Sequence, residues 1–285
     1  MPNPDDLAVR LDLSAAIDLE PYRTPGANLD AVDPGDIGPY SEGGGKKAAK
    51  HDLERLIAHL ARRQRLFYAD GRFALLLVLQ ALDAGGKDGT IRRALSGLNP
   101  QGVHVTSFKA PSAMELAHDF LWRVHARTPA RGQIGVFNRS HYEDVLIARV
   151  ANLVPEATWR ARYAHINAFE ALLRDAGTSL LKVYLHVSHD EQAERLRKRL
   201  DDPERHWKFD AADLAAREQA DAYREAYVEV FARCGPADAP WLIVPADRKW
   251  YRDVVVVTAL VEALDALPLR WPQPKVDVAA FAGQL

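Results

Sequence analysis

From residue 73 onward, short apolar runs alternate with segments whose apolar residues recur every three or four positions. The run 74–81 (ALLLVLQA) is apolar almost throughout, the pattern of a strand covered on both faces. Segments 103–108, 133–137, 180–187 (LLKVYLHV) and 241–244 repeat that signature and predict further strands. Between them, 91–98, 114–126 and 159–176 read as helices, the last with Tyr163, Ile166, Phe169 and Leu173 along one side. Near the end, Val254, Val257, Val261 and Leu264 fit helical spacing better than strand alternation, which predicts a helix over 251–267. Upstream, Leu53, Leu56, Ile57 and Leu60 predict a helix over 46–66. Strand and helix taking turns this often predicts an α/β fold with a central parallel sheet of about five strands, covered on both faces.

The ends differ. Residues 1–45 are rich in Pro, Gly and Asp, with acidic, proline-containing stretches around Pro4 and Pro34. Residues 1–50 therefore read as an extended appendage before a domain over 51–270, and Pro272 and Pro274 open an irregular tail over 271–285. The run from Gly43 to Lys47 (GGGKK) superficially suggests a phosphate loop. No apolar strand precedes it, so it reads as a hinge with a solvated basic start to the next helix.

Composition narrows the function classes. The formal net charge of the 285 residues is −2, so no whole-molecule field draws the chain to a polyanion, and any such site is built locally. That charge, with no long basic strip, argues against nucleic acid as partner. The lone Cys234 excludes an intramolecular disulfide and a cysteine-rich zinc site. No apolar stretch reaches the roughly 18 residues of a membrane span, and the acidic start lacks the features of a secretory signal. A cytoplasmic protein without a membrane partner is the expectation.

The chemistry begins between the first buried strand and the next helix, at Leu82-Asp83-Ala84-Gly85-Gly86-Lys87-Asp88-Gly89-Thr90. Small residues there let backbone N–H groups turn toward an anion, the helix presents its positive end, and a lysine reaches the outer phosphates. Lys87 supplies the point charge; Gly85, Gly86 and Gly89 allow close approach. Two departures separate the loop from the pattern G-x-x-x-x-G-K-[ST]: Ala81 replaces the first glycine and Asp88 the hydroxyl residue. Asp83 and Asp88 would repel phosphate unless a cation such as Mg²⁺ lay between them. A helix-capping role for Asp88 is an equal alternative.

The strand ending at Phe137 runs into Asn138-Arg139-Ser140-His141-Tyr142-Glu143-Asp144, which a doubly wound sheet would bring beside the first loop. Arg139 suits a transferring phosphoryl group, because a guanidinium fork matches phosphate oxygens. Glu143 or Asp144 could hold metal or position the acceptor, although acids also gather at helix starts for the macrodipole alone. His141 reads as an oriented polar side chain rather than a base. Ser188 to Glu191 is a capping box, followed by Arg195, Arg197, Lys198 and Arg199 and stopped by Asp202-Pro203. With Arg205 and Lys208 beyond, this is either a solvated helix face or a mobile lid over phosphates, spanning about 188–215.

Together these residues resemble the family-2 polyphosphate kinases. The resemblance rests on LQALDAGGKDGTI (79–91), NPQGVHVTSFKAPS (99–112), HDFLWR (118–123), FNRSHYEDVL (137–146) and DDPERHWKF (201–209), in collinear order. It implies a thymidylate-kinase-like, three-layer P-loop fold with a helical lid, and Mg²⁺ dependence. It also implies phosphoryl exchange between inorganic polyphosphate and adenine, or guanine, nucleotides. Family positions map onto Asp83, Lys87, Arg139 and Arg199, and the family suggests homodimers or homotetramers. Members often carry Asp where this chain has Asn138; that Asn, with the following Tyr-Glu-Asp, looks like the subgroup acting on both AMP and ADP. On this reading Lys87, Arg139 and Mg²⁺ grip the transferring group, and Asp83, with Glu143 or Asp144, orients metal and acceptor. Backbone from Ala84 to Thr90 cradles phosphate, while Arg199, Arg205 and Lys208, joined by Lys109 and Arg123, line a polyphosphate channel. An ATP-dependent nucleotide kinase and a non-catalytic polyphosphate binder are the competing readings.

Overall fold

A computed structural model describes residues 17–41, 44–277 and 281. The stretch around Pro4, Gly43 and part of the expected tail lie outside the described residues.

Five parallel strands form one sheet: β1 (Ala74–Ala81), β2 (Val103–Ser107), β3 (Ile134–Asn138), β4 (Thr178–His186) and β5 (Trp241–Pro245). Their order is β2-β3-β1-β4-β5, so the chain passes from β1 to the β2 edge, returns to β3 between them, and then crosses β1 to add β4 and β5 on the other side. All eight residues of β1 are buried, as the unbroken apolar run requires. In β4 the alternation is resolved by partner. Lys182 and Tyr184 face α6 (Glu156–Asp175) and α9 (Ala220–Arg233), through Glu170 and Tyr227. The opposite face is covered by α10 (Lys249–Asp265), which packs against α1 (Gly45–Asp70) and α2 (Lys87–Ala94). The result is the three-layer α/β/α arrangement expected from the sequence.

The N-terminal residues are packed more tightly than an appendage implies. Ile17, Leu19, Tyr22, Ala27, Leu29, Val32 and Tyr40 join the same hydrophobic core as the sheet. Arg23 bridges Leu242 in antiparallel fashion, and the Thr24 hydroxyl accepts the Trp241 N–H at 2.9 Å, which covers the β5 edge. In the glycine run before α1, Gly44 is left-handed at φ +86°, and a Cβ on Gly45 would lie 2.0 Å from the Tyr40 carbonyl oxygen.

Two expectations need correction. The single helix over 114–126 is two short ones, α3 (Ala113–Leu116) and α4 (Trp122–His125). Ser112 and Glu115 cap the first reciprocally, and the Asp119 carboxylate then accepts the Leu121 N–H at 2.9 Å, restarting the chain in a new direction. Between 210 and 240, where no element was assigned, lie α8 (Ala211–Glu218) and α9. Ala226, Tyr227, Val230 and Phe231 of α9 are buried at helical spacing, a signal present in the sequence. The remaining helices are α5 (Ile147–Val150) and α7 (His189–Asp201). Among the described residues, no helix is long and apolar enough to cross a membrane.

Candidate active site

The sheet reverses its building direction at β1, flanked by β3 and β4, and ligands in such folds sit at the carboxyl ends of these strands. Leu79 of β1 is in register with Asn138 of β3, so the loop after Ala81 and the turn after Asn138 are neighbours. They form the floor of a cleft of roughly 1370 Å³ whose other wall comes from 195–213 and 249–253. Twelve basic and six acidic side chains line it, so a chain with almost no net charge concentrates positive charge in one place.

The first loop is built by backbone conformation. Ala84 and Gly86 are left-handed, at φ +59° and +101°, and α2 begins directly at Lys87. A Cβ on Gly86 would come within 2.3 Å of Arg252 Nη1, so only glycine fits there. Gly89 differs: a Cβ would meet nothing closer than Arg252 Nη2 at 3.7 Å. Gly89→Ala should therefore leave the melting temperature unchanged or raise stability by up to about 1 kcal/mol, as a helical glycine replaced by alanine does. The same variant should raise the KM for a polyphosphate substrate. Unchanged kinetics would remove Gly89 from phosphate approach.

Lys87 Nζ donates to the carbonyls of Ala81 at 2.8 Å and Leu82 at 3.3 Å. Its burial, helped by the nearby Arg139 charge, brings the ammonium pKa down to about 8. Arg139 is itself left-handed, at φ +60°, and its guanidinium donates to Asp83 and, at 3.4 Å, to Glu143. Asp88 is no helix cap. Gly86 occupies the cap position, and the Asp88 carboxylate accepts from Asn138 Nδ2 at 2.9 Å and Lys208 Nζ at 3.2 Å. Asn138, which could not serve as a metal carboxylate, thus joins the second motif to the first.

The basic residues of α7 and of the turn after it make two kinds of contact. Arg199 and Lys208 face the cleft, with Arg199 held by Asp213 of α8 at 2.7 Å. Arg195 does not act as a free cation. It is 7% exposed and donates to the carbonyls of Gly85 at 2.9 Å, Ala84 at 3.3 Å, Asp247 at 3.3 Å and Ala246. Gln192 adds a bond to the Asp83 carbonyl at 2.9 Å. Half of the expected capping box is present: the Ser188 hydroxyl accepts the Glu191 N–H, but the Glu191 carboxylate turns to Arg195. The Ser188 N–H goes instead to Asp247 at 2.8 Å.

The other sequence candidates separate cleanly. Ala84, Gly85, Gly86, Asp88, Gly89, Lys109, Asn138 and Arg205 line the cleft. Thr90, Arg123, Glu143 and Asp144 do not. The Thr90 hydroxyl donates to Gly86 O, and Arg123 donates to the Lys109 carbonyl at 2.8 Å while lying over the Phe108 ring. Asp144 pairs with Arg162 at 3.1 Å, facing away from the loop, whereas Glu143 reaches the site through Arg139. Cleft residues that the sequence did not single out include Arg92, Arg93, Lys249, Arg252 and Asp213. Isolated basic residues on distant helices carry no local signal; Arg92 and Arg93, four and five residues past Asp88 on α2, did.

Carboxylate donors suit a substrate-borne divalent ion better than a protein cage. No group of three His, Cys, Asp or Glu residues able to hold a metal exists among the described residues. Asp83 sits at the loop mouth and Asp213 nearby, its carboxyl pKa pushed up by burial and by the Asp83 charge. One or two carboxylates facing a phosphate cleft fit Mg²⁺, which takes its remaining ligands from phosphate oxygens and water.

Comparison with known proteins agrees with this geometry. The family described as Polyphosphate kinase 2 (PPK2) matches residues 44–270. An AMP/ADP-polyphosphate phosphotransferase of Meiothermus ruber is 49% identical over 247 residues, covering 87% of this chain and 92% of that protein. An ADP-polyphosphate phosphotransferase of Rhodopseudomonas palustris is 44% identical over 253 residues, covering 84% and 86%. The crystal structure of a polyphosphate kinase 2 from Arthrobacter aurescens superimposes with a TM-score of 0.88 at 44% identity, covering 93% of this chain and 95% of that one. With the loop, the second motif and the sheet order all in agreement, this chain belongs to the polyphosphate kinase 2 family.

Proposed function

We propose that this chain is a Mg²⁺-dependent phosphotransferase that moves phosphoryl groups reversibly between inorganic polyphosphate and adenine nucleotides, taking AMP to ADP and ADP to ATP. The observation that carries the reading is the cleft. At roughly 1370 Å³ it exceeds the roughly 300–1,000 Å³ of ordinary small-molecule sites, and its basic lining continues well past Lys87. A compact triphosphate donor needs no such extent. The Meiothermus ruber relative, named for both AMP and ADP, supports the choice of acceptors.

In the forward direction a terminal phosphate oxygen of the nucleotide attacks the terminal phosphorus of polyphosphate. The bridging P–O bond breaks, and a chain one phosphate shorter leaves. Such transfer needs in-line positioning and cations at the developing charge, and no covalent enzyme intermediate. Lys87 and Arg139 hold the transferring group, and binding replaces the carbonyl and carboxylate partners they have here. Asp83, aided by Asp213, would hold the metal, which supplies charge neutralisation. Arg199, Arg205 and Lys208 lie on the segment 188–215, which we assign as the lid over the polyphosphate chain, with Lys109 on the opposite wall.

The decisive assay supplies Mg²⁺, polyphosphate and AMP or ADP to the pure protein without ATP, and follows nucleotide products. Nucleoside diphosphate and triphosphate formation is expected. Transfer from added ATP alone would establish an ATP-dependent kinase, and no transfer from either donor a binder.

A pH dependence follows from Lys87. With a pKa of about 8 in the free protein, the ammonium loses its proton as pH rises past that value, and an anionic substrate loses a cation. The kcat/KM should fall on the alkaline side from about pH 8, because kcat/KM reports free-enzyme groups. In Lys87→Arg that limb should move to higher pH; an unmoved limb would assign it to another group.

A further inference from the structure

The turn that carries Arg139 is held from behind by charges that solvent does not reach. Lys182 on β4 pairs with Glu170 on α6 at 2.7 Å, and their side chains are 0% and 1% exposed. Lys182 Nζ also donates to the Cys234 carbonyl at 2.6 Å. The second Glu170 oxygen accepts the Tyr142 hydroxyl at 2.6 Å, and His141 Nε2 lies 3.3 Å from the same oxygen. Two successive residues of the turn are therefore pinned to one buried carboxylate. Their rings add packing, Tyr142 on Trp241 at 4.8 Å and His141 on Phe169 at 5.3 Å between centroids.

On its other side the same turn presents Arg139 in a left-handed conformation, with Glu143 accepting from its guanidinium. A left-handed arginine costs of order 1–3 kcal/mol and persists only where its surroundings over-determine it. Stability alone does not call for this network, since apolar residues of similar volume often replace buried ion pairs without loss. The contacts run in a continuous series from Lys182 through Glu170 and Tyr142 to the turn, and from Glu143 through Arg139 to Asp83.

We propose that Glu170 and Tyr142 are positioning residues that fix the orientation of the Arg139 guanidinium for phosphoryl transfer. The inference rests on the role assigned to Arg139 above. Tyr142→Phe removes one hydroxyl and keeps the ring against Trp241, so it should fold. It should lower kcat about ten- to a hundred-fold, the effect of a loosened supporting contact, with KM for both substrates nearly unchanged. Combined with Arg139→Ala, it should cause no further loss, because the two changes act through one group. Glu170→Gln should behave alike but more severely, with circular dichroism used to normalise rates to folded protein.

A Tyr142→Phe protein with a lower melting temperature and unchanged kcat would overturn the proposal. So would an equal loss on the Arg139→Ala and the unmodified backgrounds, which would mark a route independent of Arg139. An unimpaired Arg139→Ala single variant would instead remove the underlying assignment, and the proposal with it.

Discussion

Arg139→Ala should lower kcat by about three to five orders of magnitude, the range over which an arginine placed on a transferring phosphoryl group acts. Its guanidinium is the cation that joins the two motifs, bonded to Asp83 on one side and Glu143 on the other. Without it, Asp83 in the cleft and Glu143 behind it lose their shared guanidinium partner, and a phosphate approaching Lys87 meets more repulsion from these acids. The KM for polyphosphate should change far less than kcat, because ten further basic side chains, apart from Lys87, still line the cleft. Steady-state kinetics at saturating polyphosphate and ADP give the comparison. A loss under tenfold would mean that another group stabilises the transition state.

The second large effect is on stability. Lys182→Met leaves the Glu170 carboxylate in the core with only Tyr142 and His141 beside it, and Glu170 is 1% exposed. Breaking a buried pair in this way costs about 3–5 kcal/mol, which at this chain length lowers the melting temperature on the order of 10 °C. Replacing both partners, Glu170→Met with Lys182→Met, should recover most of that loss, since no uncompensated charge then remains. Urea unfolding of the two variants measures the difference. A single-variant cost under about 1 kcal/mol would show that Glu170 takes up a proton at little expense.

The strands were legible because parallel strands buried on both faces write themselves as apolar runs: β1 occupies the residues that ALLLVLQA marks, and the other strands lie within about two residues of their expected ends. The long helices were legible for the complementary reason, their apolar side. Segment 114–126 misled because Asp119, whose carboxylate accepts the Leu121 N–H in a local turn, interrupts an otherwise helical spacing, and such bonds act over three residues where periodicity needs a dozen. At the site, Asp83, Lys87 and Arg139 could be placed together because strand ends converge in a doubly wound sheet. The split of α7 could not. Arg195 and Arg199 have the same chemistry and share a helix face, yet one is turned to backbone carbonyls and the other to Asp213. The carbonyls of 84–85 and of the 246–247 loop, brought together by residues distant in sequence, decide between them.

That loop also fastens the start of α7. Arg195 ties the first half of α7 to the carbonyls of Ala84 and Gly85 beneath it and of Ala246 and Asp247 beside it, while Asp247 holds the Ser188 N–H. The root of the arm is thus clamped to the same backbone that cradles phosphate. If the segment 188–215 closes as the lid we assign, its movement would be confined to the part beyond this clamp. A long linear anion would then enter beneath the outer end of that segment, while its reacting end stays beside the clamped root.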